Sequence, residues 1–278
     1  GDVREVLLQT LSLEPRLAIR IDVEGGRVVP TIQDSALDGL VPAGTEMIGT
    51  TADPTTLLAL GPVSISDAPG ASALLRLVNP GDQPATVAVE MLGPDGAEVL
   101  EGAESSVIEP GTVVDISLAG VPNDQYGVRV TSDEPVTGAI RIARTGTAGE
   151  DDPDTPPVDV AWLPAAAPLQ RGVIPLPSDL VDSVAIGLTN PGGEDIEVAV
   201  AGYDIDGQVV LEDAVDLPAG ATAPVEVPDD VVALVLAGEG VLASQTLVAR
   251  AADGPLVAMV PLVPDPYTEQ SVAVRVAG

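Results

Sequence analysis

The side chains that most enzymes use for chemistry are absent from this sequence. It contains no His and no Cys, and all 11 basic residues are Arg, so Lys is absent as well. Ser-His-Asp and Cys-His triads therefore cannot be assembled. A zinc site would lack its usual nitrogen and sulfur ligands, and neither a Schiff base nor a P-loop lysine can form. We expect no enzyme of these classes.

Carboxylates are the reactive groups that remain, with 43 Asp and Glu residues. A pair of them is enough for glycoside hydrolysis. Sites for sugars usually add aromatic platforms, however, and this chain has one Trp, three Tyr and no Phe. The acids also lie mostly at turns and strand ends, where solvation explains them. A carboxylate-dependent glycoside hydrolase is thus the third-ranked interpretation, and we predict that the protein is not an enzyme.

An acidic stretch at residues 146–157 is the candidate metal site. Its carboxylates are Glu150, Asp151, Asp152 and Asp154, and calcium takes oxygen ligands of this kind. The competing interpretation is a solvated loop, because Pro and Gly dominate the stretch. Residues 204–207 also resemble part of a calcium-binding loop. A hairpin explains them better, since Asp-Gly suits a two-residue type I′ turn. Calcium is the one cofactor that the sequence suggests, and otherwise none is expected.

Trp162 is the candidate interaction residue. It is the single Trp of the chain and ends a predicted strand. A Trp in this position is usually buried in a core or packed between two domains, although Trp is also enriched in binding surfaces. An exposed Trp162 or Tyr203 would favour a glycan-binding module, and a buried one would count against it.

The composition limits the partners of the protein. The net charge of −32 repels phosphate backbones and anionic lipid headgroups, so we expect no nucleic acid partner. No apolar run is long enough to span a membrane, so we expect no direct membrane insertion by this segment. We also expect the strand arginines to face solvent and to pair with carboxylates; these are Arg76, Arg129, Arg141 and Arg275.

An internal repeat organises the chain. Residues 72–81 read SALLRLVNPG and residues 183–192 read SVAIGLTNPG. The offset of 111 residues recurs between Asp95-Gly96 and Asp206-Gly207. In Asn79-Pro80-Gly81, Pro presets φ and Gly supplies a positive φ, which predicts a type II turn.

Period-2 alternation predicts a fold built from strands. In the first copy the strands lie near residues 72–78, 85–92, 97–101, 112–118, 126–132, 136–144 and 158–163. Seven short antiparallel strands in about 110 residues fit an immunoglobulin-like sandwich. The predicted fold class is all-β, with tandem immunoglobulin-like antiparallel β-sandwich repeats. Residues 3–7 could make one helical turn, but residues 6–11 align better with the strand at 112–118.

The repeat divides the chain into three parts. Residues 63–172 form the first full sandwich, and residues 173–278 form the second together with a closing strand. Residues 1–62 resemble the second half of a copy, because 18–21 and 28–33 match late strands and Met47 falls where Trp162 and Met259 fall later. The C-terminal SVAVRV resembles an opening strand, so we predict that a strand at 271–277 completes this partial repeat. The alternative is that further sequence precedes it.

Three short sequences carry a resemblance to a known family. They are LVNPG at 77–81, VRVTS at 128–132 and VAWLP at 160–164. Together they resemble a family of secreted actinobacterial proteins catalogued as a domain of unknown function, over residues 17–276. The resemblance implies a β-rich repeat fold and a secreted or envelope-tethered location. It brings no catalytic residues.

These observations predict a non-catalytic, extracytoplasmic β-sandwich repeat protein that acts as a structural or protein-interaction module of the cell envelope. The alternative is a glycan-binding or adhesion module. The expected partner is an envelope protein or a glycan. We expect the protein to be extracellular or associated with the cell envelope, either secreted or tethered by a segment outside this chain.

Overall fold

The chain folds almost entirely into antiparallel strands. The computed structural model describes residues 3–26, 28–38, 41–146, 156–177, 180–251 and 254–264. Its strands are β1 (Ile32–Asp38), β2 (Val41–Ile48), β3 (Thr55–Ser64), β4 (Ser72–Val78), β5 (Ala85–Gly93), β6 (Gly96–Val99), β7 (Ser106–Ile108), β8 (Val113–Ser117), β9 (Gln125–Thr145), β10 (Val158–Pro164), β11 (Leu169–Pro175), β12 (Ser183–Thr189), β13 (Ile196–Tyr203), β14 (Val209–Leu217), β15 (Thr222–Val225), β16 (Ala233–Ala251) and β17 (Gly254–Pro261). The all-β prediction is confirmed, as a composition rich in β-branched and small aliphatic residues favours.

The first unit, β3 to β10, is built around the 21-residue strand β9. The first half of β9 pairs with β3 and β5, and β5 also pairs with β6 and β7. The second half pairs with β4 and β10, and β4 also pairs with β8. The strands predicted at 126–132 and 136–144 are therefore one strand that serves both sheets. A register shift against β3, between Thr55 and Leu57, marks the point where β9 leaves the first set of partners.

The second unit, β11 to β17, has the same strand order. Its long strand β16 pairs first with β11 and β13, and then with β12 and β17. The path β14-β13-β16-β12-β15 matches β6-β5-β9-β4-β8 strand for strand. The echoed sequences at 72–78 and 183–189 form β4 and β12, which occupy the same place in the two units.

Each unit has its own aliphatic core. Leu75, Leu77, Ile140 and Ile142 are fully buried in the first. Leu188, Leu234 and Leu236 have the same role in the second. Burying a side chain of this size stabilises the fold by about 1.5–3 kcal/mol. Because strand side chains alternate between faces, the period-2 pattern of the sequence places these residues inside.

The Asn-Pro-Gly loops differ from the predicted type II turn. Gly81 and Gly192 are absent from the positive-φ glycines of the described residues. The conformation is set instead by asparagine, since Asn79 Oδ1 accepts the Gly81 N–H at 2.9 Å and Asn190 Oδ1 accepts the Gly192 N–H at 2.9 Å. An Asn side chain that bonds the backbone two residues ahead fixes a turn without a left-handed glycine.

The Asp-Gly hairpins also form without the predicted type I′ geometry. That turn needs positive φ at both central residues, and no described non-glycine residue has a positive φ. Gly93 pairs with Gly96, so the first loop is Pro94-Asp95. In the second, Asp204 Oδ1 accepts the N–H groups of Asp206 at 3.0 Å and Gln208 at 2.7 Å. Residues 204–208 do connect two paired strands, since Tyr203 is opposite Val209.

The N-terminal part contributes one hairpin. Strands β1 and β2 pair with each other, with Gln33 opposite Met47. Residues 18–21 are not in a strand, and residues 8–10 form a 3₁₀ turn. The alignment of 6–11 with a strand is therefore wrong, because no described strand lies alongside to pair with it. The predicted closing strand at 271–277 lies outside the described residues. No helix in the described ranges is long and apolar enough to cross a membrane.

Candidate functional site

The predicted site residues fall in two places. Glu150, Asp151, Asp152 and Asp154 lie outside the described residues, so the calcium interpretation stays a prediction. Within the described ranges, no group of three or more acidic side chains is arranged to hold a metal ion. Trp162 lies in β10, at a junction with the N-terminal hairpin.

Trp162 makes its main polar contact within the chain. Its side chain is 6% exposed, and the indole Nε1–H donates to Asp34 Oδ2 of β1 at 2.9 Å. A buried indole N–H usually finds such a partner. The ring therefore joins the hairpin to the first unit and is not presented as a platform for a sugar ring. Tyr203 is half-buried in β13. The burial of Trp162 counts against the glycan-binding alternative, whereas the half-buried Tyr203 decides nothing.

Two arginines lie over the Trp162 ring. Arg76 Cζ is 4.9 Å and Arg141 Cζ is 6.0 Å from its centroid, within the range of a cation–π interaction. Arg76 also forms a two-point ion pair with Asp115, at 2.7 and 2.9 Å. Burial lowers the pKa of Arg141, while Asp34 nearby favours its charged form and Arg76 opposes it. We call Trp162, Arg76, Arg141, Asp34 and Asp115 the tryptophan cluster.

Two of the strand arginines, Arg76 and Arg129, pair with carboxylates but are largely covered. The ion pair of Arg76 with Asp115 is matched by that of Arg129 with Glu90, at 2.8 Å. The two arginine side chains are 18% and 20% exposed, so the expectation that they face solvent is wrong for them. Arg275 lies outside the described residues.

Asp159 joins three strands next to this cluster. It is 9% exposed, and its Oδ2 accepts the N–H of Val257 in β17 at 2.7 Å. Gly44 of β2 lies against it, since a Cβ on Gly44 would come within 2.6 Å of Asp159 Oδ1. Burial raises the pKa of Glu46 in β2, with a further upward contribution from Asp159 and an opposing backbone hydrogen bond from Met47. Strands β2, β10 and β17 therefore meet at one carboxylate.

A second junction locks the two units together. Thr222 Oγ1 donates to Leu92 O at 2.6 Å and accepts the Gly127 N–H at 3.0 Å. Thr189 Oγ1 lies 2.7 Å from Thr222 Oγ1. All these hydroxyls are buried. Buried hydrogen-bonded networks of this kind fix a single arrangement of the packed surfaces.

Sequence reasoning missed this junction, although a signal was present. The backbone N–H groups of Asn79 and Asn190 donate equivalent hydrogen bonds, to Thr112 O at 3.1 Å and to Ala221 O at 2.9 Å. This aligns Thr222 with Val113 and Thr189 with Val78. Polar Thr thus replaces Val at two strand positions of the second unit, and a buried hydroxyl needs a partner.

These junctions share one kind of contact, in which polar side chains join neighbouring strands. The side chains that the described residues bring together are ion-paired, stacked or hydrogen-bonded to backbone across strands. Such contacts hold strands from different parts of the chain in one arrangement. They define a class of protein: an all-β chain of antiparallel sandwich units joined by buried polar contacts.

Within that class, the chain belongs to the Family of unknown function (DUF5719), whose profile matches residues 1–228. This match agrees with the resemblance in one respect: both point to a family that has no assigned function. Its secreted and actinobacterial character stays a prediction. No curated protein matches the sequence.

Solved structures give distant likenesses. The crystal structure of Thermotoga maritima 1070 aligns with 40% of this chain and 93% of its own length, at 16% identity and a TM-score of 0.30. Beta-glucuronidase 2 of Bacteroides uniformis, as a calcium binding mutant, aligns with 74% of this chain at 12% identity and a TM-score of 0.18. This chain spans 25% of the length of the glucuronidase.

Proposed function

We propose that this protein is a non-catalytic, extracytoplasmic module that acts as a rigid structural or protein-interaction element of the cell envelope. The observation that carries the proposal is the way its parts are interleaved. Val257 and Met259 of β17, which belongs to the second unit, pack into the core of the first unit. Because side chains of the second unit pack into the core of the first, the two units hold a fixed relative position and transmit force. A spacer or a scaffold needs this property.

The polar contacts support the same role. Ser244 Oγ of β16 donates to the Pro62 carbonyl of β3 at 2.5 Å. Arg129 of β9 donates to Pro191 O of the second unit at 3.1 Å while it pairs with Glu90. Interfaces between domains that move are usually small and polar. Here buried hydrogen bonds and shared apolar packing act together, so the two units act as one body.

The composition fits a non-catalytic role, and the extracytoplasmic location follows from the resemblance to secreted proteins. A chain without Cys and Lys, and with a net charge of −32, is highly soluble and disfavours nucleic acid. The charged and polar side chains of the described clusters already form ion pairs and hydrogen bonds within the chain. An envelope protein that contacts the outer faces of the sheets is the partner that fits best.

The test uses the full-length gene product in its source organism. Intact cells are treated with a protease that cannot enter them, and the protein is followed with an antibody. We expect cleavage in intact cells, whereas a cytosolic marker protein stays uncut. A protein that is cut only after lysis would overturn the extracytoplasmic assignment.

The interaction half of the proposal is tested by a photoreactive residue placed on an exposed sheet position. Val173 of β11 is 59% exposed and suits this purpose, and Val200 of β13, at 3%, is the buried control. One recurrent cross-linked band from the exposed position, absent with the control, would support the role. Smears that are equal for both positions would contradict it, as would release of reducing sugar from envelope glycans by the purified protein.

A further inference from the structure

We propose that the open edge of β14 binds an extended segment of a partner protein that carries Lys or Arg residues, which joins the second unit as an added strand. The proposal rests on the interaction role proposed above and names the chemistry of the partner. It is carried by the direction of the backbone groups along β14, the continuity of this edge and its unpaired carboxylates.

Every second residue of β14 turns its backbone groups away from the sheet. The Tyr203 carbonyl of β13 accepts the Val232 N–H at 2.8 Å, so Tyr203 faces the β16 side of β13. Because backbone groups alternate in direction along a strand, Val200 faces β14, where it is opposite Asp213. The residues of β14 whose N–H and C=O groups point to the open side are therefore Glu212, Ala214 and Asp216.

A hydrogen bond at the edge agrees with this direction. The Ala214 N–H donates to Asp213 Oδ1 at 2.8 Å, and among the described strands β14 pairs only with β13. A neutral strand would have to displace this carboxylate, which is how an edge charge prevents unwanted pairing. A strand with a cation at this place would pair with Asp213 and free the Ala214 N–H for its own carbonyl. Main-chain hydrogen bonds of this kind supply affinity when a peptide extends a sheet.

The corresponding edge of the first unit is interrupted. There, β6 has four residues and β7 has three. Between them, Val89 of β5 donates its N–H to Ala103 O at 3.0 Å and accepts the Leu100 N–H at 2.9 Å. Short edge strands hinder pairing with another chain. In contrast, β14 has nine residues, and its register against β13 is unbroken from Leu211 to Leu217.

The carboxylates at the β14 edge select a cationic partner. Glu197 of β13 is directly opposite Asp216, and both are exposed. Like charges in such positions destabilise a sheet. Within the described residues, no arginine forms an ion pair with Glu197, Glu212 or Asp216. A Lys or Arg side chain on the added strand would relieve this repulsion and pair with these groups.

A shallow depression of about 210 Å³ beside Glu212 gives room for the stem of such a side chain. Its lining includes Ala199, Ala201 and Ala237. In the first unit, the ion pair of Glu90 with Arg129 stands at the place where Ala201 is opposite Val235 in the second. Small side chains thus replace a charged pair, and they leave an apolar floor on which the aliphatic stem of a Lys or Arg can lie.

A second copy of this chain fits the edge poorly. Antiparallel pairing of two β14 strands about Ala214 would place Glu212 of each copy opposite Asp216 of the other. Each copy also carries a net charge of −32, so the two would repel each other. The occupant that complements this edge is therefore a basic strand of another protein.

Two fluorescent peptides test the proposal with the purified protein. Both alternate Lys with Val over nine residues, and one is N-methylated at its two central residues, which blocks pairing on either edge without changing the charge. Fluorescence anisotropy at about 0.15 M NaCl measures binding, since exposed charges farther apart than the screening length are then largely screened. We expect the N-methylated peptide to bind at least tenfold more weakly. Equal binding of the two peptides, or no binding of either, would overturn the proposal.

Protein variants separate the backbone from the charge. Ala214→Pro removes one outward N–H without changing the charge, at a position of an edge strand where Pro is tolerated, and should weaken binding of the unmodified peptide at least tenfold. Glu212→Gln/Asp216→Asn should weaken it at least threefold. The matched control Asp82→Asn/Glu101→Gln changes the net charge equally at exposed positions of the first unit and should leave binding within twofold. Circular dichroism checks that the variants fold. Equal weakening in the two charge variants would show attraction by net charge alone and would overturn the proposal.

Hydrogen exchange followed by NMR locates the bound peptide. The amides of Glu212 and Asp216 should exchange at least tenfold more slowly when the unmodified peptide is bound, whereas those of Asp213 and Val215, which face β13, should change little. Unchanged exchange at Glu212 and Asp216 would contradict the proposal, and slowing that depends on protein concentration alone would assign the edge to a second copy. Failure of these tests would leave the protease and Val173 cross-linking tests of the proposed function standing, because neither requires the β14 edge.

Discussion

At the scale of single residues, two buried asparagines organise the loops after β4 and β12. Asn79 is 0% exposed, and its amide donates to Gln83 O at 2.7 Å and Ile108 O at 2.9 Å. Asn190 is 1% exposed and donates to Glu194 O at 2.8 Å and Leu217 O at 3.0 Å. Each side chain thus ties its own loop to a neighbouring strand. The common bonding explains why the same three-residue sequence recurs.

Replacing Asn79 with Ala should destabilise the protein by about 2–3 kcal/mol, because buried carbonyls lose their donors. Urea unfolding followed by circular dichroism measures this free energy. The matched control is Asn123→Ala, which removes hydrogen bonds to Asp67 at an exposed site and should cost about 0.5 kcal/mol or less. Equal decreases in the free energy of unfolding would show that the buried hydrogen bonds of Asn79 stabilise the protein no more than the exposed ones of Asn123.

Glu46 gives the N-terminal hairpin a dependence on pH. Burial raises the pKa of this carboxyl above its ordinary value of 4.5, so the folded state favours its protonated form. The resulting stability is present below pH 4.5 and is lost as the pH rises through the higher pKa of the folded state. Glu46→Gln should therefore be more stable than the wild type at pH 7, and the two should converge below pH 4.

Thermal unfolding followed by Trp162 fluorescence measures this difference, because Trp162 contacts the hairpin through Asp34. Glu98→Gln, at an exposed position of β6, makes the same change in net charge. If Glu98→Gln stabilises the protein at pH 7 as much as Glu46→Gln does, the effect is one of net charge and the interpretation of Glu46 is wrong.

At the scale of secondary structure elements, close backbone approach decides how the two units meet. Gly187 of β12 is buried against the first unit, where a Cβ would lie 2.5 Å from both Gln125 Oε1 and Pro62 Cγ. Gly127 of β9 lies as tightly against Thr189. Side chains at these positions would push β12 away from β3 and β9. The fit between the units thus depends on two residues that have no side chain.

The change Gly187→Ala should cost about 1–3 kcal/mol by overpacking and should split unfolding into two steps. Differential scanning calorimetry would show the second transition. Gly193→Ala is the control, since a Cβ there meets nothing within 4 Å. A single transition in Gly187→Ala, at the wild-type temperature, would mean that the units are not coupled through this contact.

The strands themselves could be predicted from the sequence, but their junctions could not. Alternation located β4, β5 and β10 within a residue or two, because one apolar face must be buried. It divided β9 at Asp133-Glu134-Pro135, since those residues read as a turn although the backbone continues through them. Trp162 was identified as notable from its rarity, whereas its partner Asp34 lies 128 residues away. Contacts at that separation follow from the packing of whole units.

At the scale of the whole molecule, charge opposes the compact state. A net charge of −32 creates self-repulsion that salt screens. Raising NaCl from about 0.02 to about 0.5 M should raise the unfolding temperature by several degrees, because the screening length falls to a few ångströms. CaCl₂ at the same ionic strength should act similarly. A much larger effect of calcium would contradict simple screening and would support a site at residues 150–154.

The interleaving of the two units is tested most directly by native-state hydrogen exchange in increasing denaturant. The amides of Val128 and Val130 report the first core, and those of Leu234 and Leu236 report the second. Because β17 packs into the first core and Thr222 bonds across the interface, we predict that both sets exchange through one opening with the same free energy and the same denaturant dependence. Exchange of the second set through a separate opening of lower free energy would contradict a single interlocked body.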